Sequence, residues 1–536
     1  MQSCRSKCAT LLCLIAISLT PSAILAQKPP EARPIQIENG KLLGVLTPDQ
    51  KVIAYKGIPY AQPPLEQLRW RPPLPILGKW KHVLFAQNFG PHCIQSGGYP
   101  DMVFHDPGPS EDCLTLNVWA PSDARPSKKS PGLPVMVWIY GGGFTTGGTS
   151  ENRQDGQFLA HRGVIVVSMN YRLGIFGFFA HPELTAETPA QASGNYGLMD
   201  QTAAIAWVRR NIAAFGGDPT NITIFGECAG SFSVSAQMAS PVANNLFAKA
   251  IGESGGAFYS SGLDFAPVVQ AERANVAWAT RAFGSSKLFY LRMLPADEIL
   301  KAATARTNPP PPSFLPVIDG YFLPDTLPHI YAAGKQAHIP VLGGWNANES
   351  RPDRVPTADS FTVQAHTEFG PDALKFLTVF PAATDAEAIR SAGDYAGDKF
   401  IAFSTWAWLE AHARTGNAPV YRYFFSLASP GDRNHTPAMG AFHSDDIEYV
   451  FGALDSRPEM AVRPEDRVLS ELMGQYWTNF AKTGDPNGPG LPKWPVYNAA
   501  DNYQVMHLDA TPEAKPDTLR PRYLFLDSVW GSTAAK

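Results

Sequence analysis

The chain has 536 residues, enough to bury a large core, and its 44 Lys and Arg residues nearly balance 48 Asp and Glu residues for a net charge of -4. No basic block stands out along the chain, so nucleic acid is not an expected partner. After the amino terminus no segment reaches the roughly 18 consecutive apolar residues of a spanning helix, so no stable membrane span is expected in the mature chain.

The first 26 residues have the three regions of a secretory signal peptide. Arg5 and Lys7 precede an apolar run over residues 9–19, and small residues then lead to Ala26. We therefore expect residues 1–26 to be removed and residues 27–536 to form a secreted or periplasmic protein. An uncleaved anchor is the alternative, because Ile24 lies three residues before the cut, where a small residue is usual.

Three of the six cysteines lie inside the predicted signal peptide and would be lost with it. Cys93 and Cys113 are flanked by turn residues and suit a disulfide in an oxidising compartment. Cys228 is then left without a partner. An unpaired thiol in an exported protein is either buried and inert or reactive, and its position decides between the two.

Short strands open the mature chain. Residues 44–46 and 52–55 alternate apolar and polar side chains and predict antiparallel strands, whereas the proline-rich residues 56–64 predict an ordered loop or, as the alternative, a linker. Period-two alternation over residues 111–121 predicts a further strand.

Nearly continuous apolar runs follow, as expected of strands buried on both faces of a mostly parallel sheet. These runs, with the later strands, are residues 135–140, 164–168, 222–225, 340–345 and 420–425. Residues 200–215 carry one apolar helical face and end at a Gly-Gly pair, and residues 403–413 are also helical in pattern. Strands that alternate with helices predict a doubly wound α/β fold.

Residues 225–230, Phe-Gly-Glu-Cys-Ala-Gly, join the strand at 222–225 to a helix-compatible run. Gly226 and Gly230 lie two residues before and two residues after Cys228. A nucleophile elbow needs small residues at these two positions, because the strand and helix backbones approach closely there. The segment therefore predicts an elbow with Cys228 at its tip, where serine is usual, and this position favours the reactive thiol.

Acyl transfer in such a fold needs an oxyanion hole, an acid and a histidine besides the nucleophile. Backbone N–H groups of Gly142 and Gly143, after a buried strand, and of Ala229, after the elbow, are the expected oxyanion donors. His443, in a loop after a late strand, is the candidate base. Glu349, directly after another late strand, is the candidate acid, although spacing alone leaves that assignment open.

Several long motifs lie at residues 111–114, 170–174, 194–201, 207–219 and 441–443. Together they resemble the type-B carboxylesterase and cholinesterase family of α/β-hydrolases, and the resemblance runs from about residue 37 to residue 526. It implies one α/β-hydrolase catalytic domain with a Cys93–Cys113 disulfide. It also implies His443 as base, Glu349 as its orienting acid, and Gly142, Gly143 and Ala229 as oxyanion donors. No cofactor or metal is expected.

The chain departs from this family at two points that matter. Cys228 stands where the family has serine. Cholinesterases also carry a tryptophan shortly before the second disulfide cysteine, which holds the quaternary ammonium. No tryptophan lies between Cys93 and Cys113, so choline esters are not expected. Tyr140 replaces a histidine that many relatives carry before the three glycines. Tyrosine is also familiar at this position, so the change does not alter the expected oxyanion donors.

The leading hypothesis is a hydrolase of small carboxylic esters that forms an acyl-enzyme on Cys228. The alternatives are an engineered or low-activity Ser-to-Cys form of a serine esterase, an acyltransferase or thioesterase, and a non-catalytic binding member like the neuroligins. The segment around Phe104, Phe144, and the helical region near Phe403, Trp406 and Trp408 are expected to form pocket walls, and the alternative is that these aromatic residues belong to the core. The sequence leaves the identity of the ester and the oligomeric state open.

Overall fold

The structure is a computed structural model that describes residues 32–126, 131–259, 262–431 and 440–531. The predicted signal peptide with its three cysteines lies outside these ranges, so its cleavage and the export of the protein stay predictions. Across the described ranges, no helix combines the length and apolarity that a membrane span requires.

A large mixed sheet organises the molecule. The strands are β1 (Ile35–Ile37), β2 (Gly40–Leu43), β3 (Val45–Leu46), β4 (Val52–Pro59), β5 (Leu84–Phe85), β6 (His92–Cys93), β7 (Pro109–Ser110), β8 (Thr115–Pro121), β9 (Leu133–Ile139), β10 (Ile165–Met169), β11 (Gly217–Glu227), β12 (Lys249–Glu253), β13 (Ala266–Pro267), β14 (Val317–Ile318), β15 (Val341–Asn346), β16 (Val420–Phe425), β17 (Gln504–Leu508) and β18 (Glu513–Pro516). Eleven of them form one sheet in the order β18-β17-β16-β15-β12-β11-β9-β10-β8-β4-β3.

Helices cover the sheet. They are α1 (Gln157–Ala160), α2 (Gly174–Phe178), α3 (Pro182–Glu187), α4 (Tyr196–Asn211), α5 (Ala229–Ala239), α6 (Val268–Phe283), α7 (Leu288–Met293), α8 (Ala296–Ala303), α9 (Leu327–Ala332), α10 (Ala358–Phe369), α11 (Ala373–Val379), α12 (Asp385–Gly397), α13 (Phe403–Thr415), α14 (Ile447–Phe451), α15 (Pro464–Thr483) and α16 (Arg520–Leu526).

The consecutive sheet strands β10, β9, β11, β12, β15, β16 and β17 all run parallel. Antiparallel strands flank them at both ends, β8 beside β10 and β18 beside β17. The doubly wound α/β fold predicted from the alternating pattern, and the α/β-hydrolase fold that the family resemblance implies, are therefore confirmed. The apolar runs predicted as buried strands correspond to β9, β10, β11, β15 and β16. Their side chains are almost entirely buried, as expected where helices cover both faces of the sheet.

Several boundaries differ from the predictions by several residues. The strand predicted over residues 111–121 begins at Thr115 as β8. β4 continues to Pro59, so its last residues belong to a strand and not to the predicted proline-rich loop. The pairing with β8 shifts register between Tyr55 and Ile58, and this irregularity lets an edge segment with proline stay in the sheet. Helix α4 begins at Tyr196, four residues before the predicted start, because Tyr196 and Leu198 add buried contacts to its first turn.

The turn from β11 to α5 consists of Cys228 alone. Its flanking glycines lie against the carboxyl end of β9. A Cβ atom on Gly230 would lie 1.9 Å from the carbonyl oxygen of Ile139, and one on Gly226 would lie 2.5 Å from the same oxygen. Hydrogen is therefore the only side chain that fits at either position.

We predict that Gly230→Ala destabilises the protein by about 3 kcal/mol, the upper end of the usual range for overpacking, because strand β9 must move to admit the methyl group. The free energy of unfolding, measured by urea denaturation, is the readout. Gly393→Ala in α12 is the control, since no atom lies within 4 Å of its added Cβ. This control should be neutral or stabilising by about 0.5–1 kcal/mol. Equal stabilities of the two variants would contradict the close approach.

Candidate active site

Cys228 lies at the amino end of α5 in an unfavourable backbone conformation. Its φ is 53° and its ψ is -123°, a region that residues with a side chain rarely adopt. Such a residue costs of order 1–3 kcal/mol and persists only where its surroundings hold it. Here the Cys228 N–H donates to the carbonyl oxygen of Glu253 at 2.9 Å, and α5 continues directly from the turn. In this conformation the Cys228 side chain lies at the carboxyl end of β11 and lines a cavity there.

Two loops bring Glu349 and His443 together. Asn348 and Phe442 form an isolated parallel bridge, and the Asn348 N–H donates to the carbonyl oxygen of Ala441 at 2.9 Å. The bridge extends the parallel order of the sheet just beyond the ends of its strands. His443 Nδ1 then lies 2.6 Å from Glu349 Oε2.

The Glu349 carboxylate is held at both oxygens. Oε1 accepts from Ser254 Oγ at 2.6 Å and from the N–H of Asn346 at 2.7 Å, which leaves Oε2 for His443. A carboxylate only accepts hydrogen bonds, so Nδ1 of His443 carries the proton in this contact. The second ring nitrogen, Nε2, therefore faces Cys228 and Glu227.

The surroundings of Cys228 favour its thiolate. Burial raises the pKa of the thiol, but the positive charge and hydrogen bond of His443 and the N–H groups of Gly142 and Ala229 together lower it below the usual value. Two of the three predicted oxyanion donors, Gly142 and Ala229, are thus among the groups that lower the pKa of the thiol. The third, Gly143, lines the same cavity, and both glycines have positive φ.

The pKa of His443 shifts in the opposite direction to that of Cys228. Burial lowers the pKa of its imidazole, but the charges of Glu227, Cys228 and Glu349 outweigh burial and raise the pKa well above the usual value. A lowered thiol pKa and a raised imidazole pKa together favour a thiolate–imidazolium pair at neutral pH.

Sequence reasoning missed Glu227 and Ser254. Glu227 precedes the thiol, and its Oε1 lies 3.4 Å from His443 Nε2. Ser254 follows β12, the neighbour of β11, in a turn with a positive φ of 52°. Its place after a buried strand is the same signal that pointed to Glu349, and it could have identified Ser254 as well.

The thiol opens into a cavity of about 870 Å³. The lining includes Gly142, Gly143, Cys228, Glu349 and His443, so the predicted residues gather at one site. Further walls come from Tyr99, Met102, Leu263, Phe400 and Phe442.

The predicted walls are right in part: the segment before Phe104 lines the cavity through Tyr99 and Met102, but the aromatic side chains named in the prediction do not. Phe144, Phe403, Trp406 and Trp408 are at most 2% exposed and belong to the core, and Phe104 stacks on His92. Helix α13 turns its aromatic residues away from the cavity, and the short helical segment before it supplies Phe400 instead.

The Cys93–Cys113 disulfide is confirmed, with an S–S distance of 2.01 Å. It joins β6 to the segment just before β8, so it fixes the Tyr99 side of the cavity to the central sheet. Within the described ranges Cys228 is the only free cysteine.

A profile of the carboxylesterase family matches residues 31–525 of the chain. The chain belongs to the carboxylesterase family. This carboxylesterase is 36% identical to the para-nitrobenzyl esterase of Bacillus subtilis (strain 168) over 92% of its own length and 98% of that protein. It is 34% identical to the fumonisin B1 esterase of Sphingopyxis macrogoltabida, over 86% of its length and 84% of that protein.

A solved structure of PNB esterase superposes on the carboxylesterase with a TM-score of 0.75 and 34% identity, covering 92% of this chain and 99% of the other. The acetylcholinesterase of Bungarus fasciatus is 34% identical over 91% of the chain and 84% of that protein. The carboxylesterase is therefore an enzyme that hydrolyses carboxylic esters.

We predict that iodoacetamide alkylates Cys228 with a pH midpoint below that of glutathione, because the lowered pKa leaves more thiolate at neutral pH. In His443→Ala the alkylation rate at pH 7 should fall on the order of tenfold or more, since one pKa unit changes the thiolate fraction about tenfold. The rates are measured by quenching the reaction at a series of times and determining the alkylated fraction by intact mass.

His329→Ala is the control, because the side chain of His329 is 47% exposed and pairs with Asp325 instead of the thiol. An unchanged pH profile in His443→Ala would show that His443 does not set the thiolate population.

Proposed function

We propose that this carboxylesterase hydrolyses small carboxylic esters through an acyl-thioester on Cys228. The observation that carries the proposal is geometric: Sγ of Cys228 lies within 4.8 Å of a ring nitrogen of His443, and both residues line one cavity with Gly142 and Gly143. A sulfur placed in this way can attack a carbonyl carbon while its neighbours receive the charge that develops on the carbonyl oxygen.

In the first half of the reaction the Cys228 thiolate attacks the ester carbonyl and forms a C–S bond. The carbonyl electron pair moves to oxygen, and the N–H groups of Gly142, Gly143 and Ala229 donate to that oxyanion. When the intermediate collapses, the bond to the alcohol oxygen breaks, and the His443 imidazolium donates its Nε2 proton to the departing alcohol. An acyl-thioester and a neutral His443 remain.

In the second half water replaces the alcohol. Neutral His443 takes one proton from water, and the hydroxide oxygen attacks the thioester carbonyl. Collapse of the second oxyanion breaks the C–S bond and releases the carboxylic acid, and Cys228 and His443 return to the ion pair. Glu349 keeps the Nδ1 proton in place throughout and stabilises the imidazolium, in the role that the acid has in serine triads.

The cavity supports small esters with apolar groups, since Tyr99, Leu263, Phe400 and Phe442 line it. Choline esters stay outside the proposal, because no tryptophan lies between Cys93 and Cys113. We also propose that residues 27–536 act as one catalytic domain after export, as the sequence predicts.

An oxygen-adapted site in which cysteine replaces serine is the second candidate. The likeness to esterases throughout the matched region favours this candidate. An oxyanion hole shaped for an oxygen adduct would hold the larger sulfur adduct less well, so turnover through Cys228 would then be low. A binding role without catalysis is disfavoured, since such a protein has no need for Glu349, His443 and a backbone oxyanion site together.

The acyl-thioester should be visible by mass. Incubation with a short p-nitrophenyl ester should release p-nitrophenol in a burst and add one acyl group to Cys228, observed by intact mass and peptide mapping after acid quenching. Complete alkylation of Cys228 with iodoacetamide should abolish turnover, because the nucleophile is then blocked. Turnover that survives alkylation would exclude Cys228 as the nucleophile.

Cys228→Ser distinguishes a sulfur-adapted site from an oxygen-adapted one. We expect kcat to fall about tenfold or more at pH 7, because Glu227 and Glu349 still raise the pKa of His443 and a protonated imidazole cannot take the serine proton. Activity of the variant should rise with pH as His443 loses its proton. A large gain in kcat at pH 7 would instead indicate a site built for oxygen.

A further inference from the structure

The thiol, the free imidazole nitrogen and a buried carboxylate meet at one point. Ligand atoms of Glu227, Cys228 and His443 all lie within 4.8 Å of one another. Two ligands of a tetrahedral Zn²⁺ lie roughly 3.3–3.7 Å apart, given metal–ligand distances of about 2.0–2.3 Å. Nε2 of His443 and Oε1 of Glu227 are 3.4 Å apart, which is already in that range.

Glu227 supplies the independent sign of a ligand. Its side chain is 3% exposed, and its Oε1 has no hydrogen-bond partner among the described residues. The nearest cationic group is Nε2 of His443 at 3.4 Å, which makes no hydrogen bond to this oxygen, so a cation bound directly to the oxygen would satisfy it better. Oε1 of Glu227 lies close to Nε2 of His443, so a single proton or metal ion can contact both atoms.

The support around His443 also suits a metal. Metal-binding histidines commonly donate their other ring N–H to a carboxylate, which fixes the ring and its tautomer. Glu349 does this at Nδ1, at 2.6 Å, and leaves Nε2 as the ligand.

All three ligand residues line the cavity of about 870 Å³, so an ion can enter and keep a water molecule as its fourth ligand. Three protein ligands with one open position is the usual arrangement of accessible Zn²⁺ sites in enzymes.

We propose that Glu227, Cys228 and His443 form a reversible inhibitory site for Zn²⁺ and similar borderline-soft divalent cations. The ion forms bonds to Sγ, to Nε2 and to a Glu227 oxygen, and the proton that Cys228 and His443 share leaves to solvent. The thiolate can then no longer attack an ester, nor can His443 transfer a proton. The site depends on sulfur, since a neutral serine hydroxyl is a poor ligand for these ions. It does not depend on the acyl-thioester mechanism.

Co²⁺ alone is the probe, because thiolate coordination gives a near-ultraviolet charge-transfer band that needs no catalysis. The full chain should bind one Co²⁺ with this band, and Zn²⁺ should displace it. Zn²⁺ should also protect Cys228 from iodoacetamide by intact mass, and EDTA should restore both alkylation and ester hydrolysis. Absence of the band and of protection would overturn the proposal.

Three variants assign the ligands. Cys228→Ser should lose the band, and Glu227→Gln should weaken Co²⁺ binding at least roughly 10- to 100-fold, the loss that removal of even a supporting partner causes. Glu253→Gln is the matched control, because Glu253 pairs with Glu227 in register on β12 and is equally buried, but it bonds Trp477 instead of facing the thiol. It should bind Co²⁺ as the parent does.

Thermal unfolding checks that each variant is folded. The band surviving in Cys228→Ser, or equal affinity in Glu227→Gln and the parent, would refute the ligand set. Protection of the parent thiol by Zn²⁺ does not require any variant to fold. A protein that binds Co²⁺ but forms no acyl-thioester would refute the proposed function alone, and one that turns over esters without binding metal would refute this site alone.

Discussion

The site depends on one constraint, the single-residue turn at Cys228 between β11 and α5. Its positive φ is tolerated because Gly226 and Gly230 let both flanking segments lie against the carbonyl oxygen of Ile139 at the end of β9. The same turn starts a helix immediately after the thiol, so the N–H of Ala229 is free to contact the sulfur. The strain at one residue thus places both the nucleophile and an oxyanion donor, and stabilisation from the packed sheet offsets it.

Several buried acids near His443 determine the charge state of the site. Asp446 accepts from Asn346 Nδ2 at 3.1 Å and from the Tyr423 hydroxyl at 3.0 Å, while Asn346 holds Glu349 through its N–H. Burial and the charge of Glu349 raise the pKa of Asp446 to about 6. Burial likewise raises the pKa of Glu227 well above the usual value, although His443 opposes this. Asn346 links Glu349 to Asp446 by hydrogen bonds, and the negative charge of the acids near His443 stabilises a positive imidazole beside a negative sulfur.

Local patterns predicted most of the framework because they depend on neighbours in the chain. Continuous apolar runs identified the parallel strands, and two glycines around Cys228 identified the elbow. The place of Ser254 after a buried strand is also a local signal, but its contact with Glu349 and that of Glu227 with His443 depend on which strands lie side by side, so local patterns could not predict these contacts. The misassigned walls have a related cause. An aromatic face on α13 fits a core as well as a pocket, and only the packing of Trp406 and Trp408 against neighbouring elements decides between them.

Sulfur changes what the same geometry can do. With oxygen at the tip of the elbow, His443 must be neutral to act as a base, and the acids around it oppose that state. With sulfur, the charged histidine is the useful form, because it stabilises the thiolate and later protonates the alcohol. The carboxylate of Glu227 then stands beside a thiolate and an imidazole nitrogen, which are ligands that divalent cations prefer. The arrangement that favours acylation through sulfur therefore also makes the nucleophile accessible to competition by metal ions.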